Sequence, residues 1–240
     1  GKDISLMDIY NQNPSDYQIA PPADGANLSD WSIVFGGKNV NGTPSSQVKM
    51  KVTMTGGDIK NIYAGHSSFE FSVNNELRGV NEFTMTGGSV NSIYTDNGYD
   101  EFEQSGRAKG AANITFNLFG GTIQNLVRDT LNVQRKHNST INLKGDIKIS
   151  NGIKFYSTHF GEKLNIVGNL ANAELLNFDL NSNFERSDVL FNLDSSISDD
   201  FNTNLISLKN KPTGSDDWQI YKSSNAVRYG YSSKITSISI

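Results

Sequence analysis

Val52-Thr53-Met54-Thr55-Gly56-Gly57-Asp58-Ile59-Lys60-Asn61-Ile62-Tyr63 decides the fold, because the chain repeats it. Phe83-Thr84-Met85-Thr86-Gly87-Gly88-Ser89-Val90-Asn91-Ser92-Ile93-Tyr94 is a second copy, and Phe116-Asn117-Leu118-Phe119-Gly120-Gly121-Thr122-Ile123-Gln124-Asn125-Leu126-Val127 a third. Within the first copy Val52 and Met54 point one way while Thr53 and Thr55 point the other, the period of a half-buried strand. A Gly pair follows, where the backbone can turn without a Cβ clash. Ile59 and Ile62 then return to the interior three residues apart, which predicts a bend at Lys60-Asn61.

Weaker echoes occupy residues 33–40, 141–147 and 164–170. The first Gly of each pair falls at 36, 56, 87 and 120, so the spacings are 20, 31 and 33; Gly145 and Gly168 extend the series. Unequal spacing excludes collagen and hexapeptide solenoids. A constant core with excursions of variable length predicts a parallel β-helix, right-handed by the usual chirality of parallel crossovers. Like residues then stack about 4.8 Å apart. Val52, Phe83 and Phe116 form one expected buried ladder, and Met54, Met85 and Leu118 another. Asn61, Ser92 and Asn125 share one site, where amides can bond up and down the stack.

Composition agrees with a narrow solenoid. Of 240 residues only 36% are hydrophobic and 19% charged, with 22 Gly and 29 Asn. Thirteen Phe and nine Tyr argue against disorder. The absence of Cys excludes thiol catalysis, Cys-based metal sites and disulfides. A net charge of −4 gives no pull toward nucleic acid, and no apolar run is long enough to insert into a membrane. Cysteine-free β chains rich in Asn, Ser, Thr and Gly fit an exported protein: extracellular, cell-surface or periplasmic. Gly1-Lys2 reads as a remnant of tag removal, so the lack of a leader is no argument for the cytoplasm.

The unit hydrophobic-Thr-Met-Thr-Gly-Gly-x-[Ile/Val]-x-x-Ile-Tyr resembles repeats of secreted and surface β-helix proteins of gut bacteria. These share the pectate-lyase-like or autotransporter-passenger architecture, and many are adhesin-like. The resemblance covers residues 33–150 clearly and extends weakly to 210. It implies a fold and no activity, because the matching residues are core and turn positions. Residues 165–210 lack the Gly pair and resemble the later coils of such passengers. The expected organisation is a cap or lead-in over 1–30, β-helix coils over 31–211, and C-terminal strands or a cap over 212–240.

No nucleophile elbow, P-loop, dinucleotide fingerprint or zincin motif is present, so no catalytic residue is assigned. His66, His137 and His159 have no metal-ligand spacing. Asp96-Asn97-Gly98-Tyr99-Asp100-Glu101-Phe102-Glu103 concentrates carboxylates but lacks EF-hand spacing. It reads as a solvated acidic loop, so no cofactor is expected, and calcium is the minor alternative its carboxylates allow. Variable loops on a rigid scaffold are the usual place for binding. The ligand-binding candidates are therefore Tyr63, His66, Tyr94, Asp96, Asp100, Arg128 and Asp129, all at or beyond the end of a repeat copy. Stacked Tyr rings beside carboxylates suit a sugar chain; the competing reading puts Tyr63 and Tyr94 in the core ladder.

The expected function is non-catalytic binding of a polysaccharide or a host or cell-surface molecule. A polysaccharide lyase or glycoside hydrolase on the same scaffold is the first alternative. It requires carboxylates and a base to converge across a cleft. A structural spacer within a larger surface polypeptide is the second.

Overall fold

The computed structural model describes residues 32–36, 48–66, 79–95, 113–128, 139–155, 163–171, 176–180 and 188–231. These form thirteen strands: β1 (Ser32–Gly36), β2 (Val48–Met54), β3 (Asp58–His66), β4 (Gly79–Tyr94), β5 (Asn113–Arg128), β6 (Ser139–Ile149), β7 (Ile153–Phe155), β8 (Lys163–Leu170), β9 (Leu176–Asp179), β10 (Asp188–Leu193), β11 (Ile206–Lys209), β12 (Gln219–Ser223) and β13 (Ala226–Gly230). One α-helical turn, α1 (Ser195–Ser198), and a 3-10 turn at Thr203–Leu205 lie between β10 and β11. Pairing from β1 through β9 is parallel throughout, and the stacked strands build a β-solenoid. The parallel β-helix expected from the repeat is the fold.

Each coil contributes pairing on three faces. On the first face Val52, Phe83, Phe116, Ile141 and Leu164 stand in one register. A short second face follows the Gly pair, with Ile59, Val90, Ile123 and Ile149 in register. On the third, Ile33, Ile62, Ile93, Leu126, Ile153 and Phe178 are aligned. Pairing skips Lys60, Asn91 and Gln124 between the second and third faces, the corner predicted from the three-residue spacing of Ile59 and Ile62. In the next coil that corner opens into a turn at Ser150-Asn151.

The interior is the set of inward ladders. Met54, Ile62, Phe83, Met85, Ile93, Phe116, Leu118, Ile123, Leu126 and Ile141 are all fully buried. Both predicted ladders, Val52/Phe83/Phe116 and Met54/Met85/Leu118, are therefore core. Each such side chain contributes roughly 1.5–3 kcal/mol relative to exposure. The stack explains why the unit reads Met-Thr-Gly-Gly. Gly88 has φ 88° and Gly121 has φ 95°. A Cβ on Gly88 would lie 2.7 Å from the Met54 methyl and 2.5 Å from the Gly57 carbonyl oxygen of the preceding coil. One on Gly121 would meet the Met85 methyl at 2.7 Å and the Gly88 oxygen at 2.6 Å. Methionine thus fills the space that the next coil's glycine leaves open.

The echo at 33–40 has a different place from the one its Gly pair implies. β1 pairs with β3, Ile33 opposite Ile62, so it belongs to the third face and not to the strand before the turn. The echoes at 141 and 164 do continue the first face. At the C-terminal end β10 joins β8 in parallel only at Asn192 and Leu193, and pairs with β13 in the antiparallel sense. β12 and β13 then form an antiparallel hairpin. Here Phe191 stacks on Phe178 at 5.8 Å, Phe201 meets Phe191 edge-on at 5.5 Å, and Trp218 meets Tyr229 at 5.3 Å. The Tyr229 hydroxyl is 3.2 Å from both the Ser215 carbonyl oxygen and Oγ. Residues 1–30 lie outside the described residues.

Candidate functional site

Of the sequence-derived candidates, Tyr63, His66, Tyr94 and Arg128 lie toward the ends of the third-face strands. Tyr63, Tyr94 and Val127 are aligned as expected, one per coil. Tyr94 is half-buried and stands outside the core, whereas Val127 at the same position is buried, so this column is mixed. The backbone of His66 is paired opposite Gly36, and that of Arg128 opposite Phe155. Asp96, Asp100 and Asp129 lie outside the described residues, as does the whole acidic segment 96–103. The segments leading from the third face back to the first, 37–47, 67–78, 96–112 and 129–138, are likewise outside them. Among the described residues no three His, Asp or Glu side chains come together as a metal site. Nor is any described helix long and apolar enough to cross a membrane.

The polar geometry that the described residues do show is a set of outward rows. On the first face the residue between the two inward ladders is Thr53, Thr84, Asn117, Asn142, Asn165 and Asn192 in successive coils. Alternation turns this position outward, and residues 84, 117, 142, 165 and 192 are half-buried. Asn117 Nδ2 donates to Thr84 Oγ1 at 3.3 Å, Asn142 Nδ2 to Asn117 Oδ1 at 2.9 Å, Asn165 Nδ2 to Asn142 Oδ1 at 3.0 Å, and Asn192 Nδ2 to Asn165 Oδ1 at 3.2 Å. Every donor points toward the preceding coil, so the amides share one orientation. Beside this row run Lys51, Glu82, Thr115, Thr140 and Lys163. Lys51 Nζ and Glu82 Oε2 are 3.1 Å apart, an exposed pair of small energetic weight.

A second row lies at the corner of the third face. Asn125 Nδ2 is 3.2 Å from Ser92 Oγ, and Asn151 Nδ2 donates to Asn125 Oδ1 at 3.0 Å. This is the site predicted for stacked amides. Shorter pairs continue the theme: Ser89 Oγ donates to Asp58 Oδ1, and Ser207 Oγ to Asn177 Oδ1. At the start of α1, Asp194 accepts from Ser196 Oγ at 2.7 Å and from Ser196 N–H at 2.9 Å. The side-chain hydrogen bond first, and the backbone one second, hold its carboxyl below the ordinary aspartate range.

Inside the first face, two polar side chains break the apolar ladders. Asn81 is 1% exposed and Ser139 2% exposed, on either side of Ile114 in the register. Among the described residues, neither the Asn81 amide nor the Ser139 hydroxyl has a hydrogen-bond partner. Sequence reasoning missed the first-face asparagine row, although a signal existed. Phe116-Asn117-Leu118, Ile141-Asn142-Leu143, Leu164-Asn165-Ile166 and Phe191-Asn192-Leu193 all read apolar-Asn-apolar. Compared with models of protein families, with curated proteins and with solved structures, the chain has no significant match in any of the three.

Proposed function

We propose that this chain is a non-catalytic binding module of an exported or cell-surface protein, and that it recognises a glycan or another surface molecule through the outward faces of the solenoid. One observation carries the reading: outward polar side chains of successive coils stand in register and hold one another, as in the row from Thr84 to Asn192. Such a surface presents fixed donors and acceptors at a constant repeat. Because the side chains are already immobilised, a ligand loses less side-chain entropy when it docks. The resemblance of the Thr-Met-Thr-Gly-Gly unit to secreted and surface β-helix proteins supports export, and its adhesin-like members support binding.

A glycan array probed with the full chain tests the binding, and protease shaving of intact cells that make the protein tests its exposure. The expected result is retention on at least one class of polysaccharide and cleavage from the cell surface. An empty array together with full protection inside intact cells would overturn the reading.

A further inference from the structure

We propose that the first-face row Thr84–Asn117–Asn142–Asn165–Asn192 is the docking line for a single extended, uncharged polysaccharide chain lying along the solenoid axis, about one sugar unit per coil. This rests on the glycan-binding reading above and names its site and its ligand class. The hydrogen-bond inventory is the first argument. A primary amide has two N–H donors and an oxygen with two lone pairs. Along the row Asn142 and Asn165 each spend one donor on the coil before and accept one bond from the coil after. One N–H and one lone pair therefore remain on each amide, and half-burial leaves the side chain reachable from solvent. The repeat is the strand spacing, roughly 4.7–4.9 Å, which is comparable to the length of one pyranose unit in an extended chain.

Charge is the second argument. The row itself carries no ionisable group from Thr53 to Asn192. In the neighbouring row Lys51 is paired with Glu82, Thr115 and Thr140 add two neutral, half-buried hydroxyls beside Asn117 and Asn142, and the exposed Lys163 stands at its far end. On the other side Lys144 holds its ammonium 4.2 Å above the Phe119 ring. Neutral donors and acceptors in alternation fit hydroxyl groups, which both donate and accept, better than they fit carboxylates or sulfates. This places the ligand on the first face, away from the Tyr63/Tyr94 corner that the sequence indicated.

The test compares the full chain with the double variant Thr115→Val/Thr140→Val, which removes two hydroxyls without changing side-chain shape or strand propensity, and with Gln124→Ala on the far corner. Binding is measured by affinity electrophoresis and calorimetry on hydroxyethyl cellulose, arabinoxylan and polygalacturonate, and melting midpoints are recorded for each protein. The expected result is binding to a neutral polymer, weakened about tenfold or more by Thr115→Val/Thr140→Val at an unchanged melting midpoint, and unaffected by Gln124→Ala. If the double variant melts early, Asn142→Thr serves in its place and is expected to weaken binding likewise. Undiminished binding by these variants, or binding to polygalacturonate alone, would overturn the docking line while leaving the glycan reading intact. Binding to none of the three, with a blank glycan array, would remove both.

Discussion

The coils built from β2 to β5 and the end of the solenoid built from β8 to β13 solve the same stacking problem with different parts. In the first region the turn is a Gly pair whose left-handed residue seats the methyl of a methionine from the coil before. Long strands run through the turn, and twelve register pairs join β4 to β5. In the second region the Gly pair is gone and the strands shorten. Aromatic contacts among Phe178, Phe191, Phe201, Trp218 and Tyr229, with an antiparallel hairpin, take over the packing. The difference teaches that this solenoid does not depend on one turn motif. It depends on keeping inward side chains apolar along most of the register, and the turn can be closed by glycine in one place and by bulk in another.

The largest expected effect separates the two regions directly. Gly88→Ala combines a left-handed residue with a Cβ pressed on the Gly57 carbonyl and the Met54 methyl. Conformation and overpacking together predict a loss of about 3–5 kcal/mol in urea unfolding. Gly168→Ala is the contrasting change in β8, where the backbone is not left-handed and the new Cβ would meet only the Lys144 side chain, at 3.3 Å or more. The nearest atom is the Lys144 Cβ, which moves only with its strand, so the expected change is a small loss, under about 1 kcal/mol. Equal losses at the two positions would show that the regions share one turn requirement after all.

A smaller effect tests the weak point of the first region. Asn81 is buried beside Ile114, and both amide atoms lack a partner among the described residues. Leucine has the same branching and no polar atoms to desolvate. Asn81→Leu is therefore expected to raise stability by roughly 1–3 kcal/mol, the cost of an unsatisfied buried polar group. A decrease in the urea midpoint would mean that the amide has a partner in solution and that the first region is not frustrated there.

The smallest effect belongs to the second region. Asp194 has its folded pKa held below the ordinary value by Ser196. Its stabilising contribution is fully present above the unfolded aspartate range and is lost as the pH falls through the lower folded value. Asparagine at this position caps the helical turn without titrating. The melting midpoint of Asp194→Asn is thus expected to lie slightly below that of the unmodified chain at neutral pH, with the gap closing on acidification below the aspartate range. A gap independent of pH would sever the link between this cap and the Asp194 charge.

Much of the fold was legible because it is written locally. Val52-Thr53-Met54 alternates, Gly56-Gly57 turns, Ile59 and Ile62 re-enter, and the copies at 83 and 116 repeat these choices, so strand, turn and inward ladder follow from propensity and period alone. The place of β1 is not legible in the sequence, because a Gly pair names a turn without saying which face precedes it. The candidate site was legible only in part. Tyr63, Tyr94 and Val127 do align, yet alignment did not reveal that Tyr94 is half-buried while Val127 is buried.

The sequence by itself determined a parallel solenoid with Val, Phe, Met and Leu ladders inside and Thr and Asn outside. Only the tertiary structure decided which asparagines meet. Asn142, Asn165 and Asn177 all stand between two apolar residues, yet the first two are bonded in one row while Asn177 pairs with Ser207 on another face. Row neighbours are 33, 25, 23 and 27 residues apart from Thr84 to Asn192, because each coil returns through an excursion of its own length. Sequence distance therefore does not encode spatial adjacency here; the register does, and it is set by how the buried ladders pack across coils.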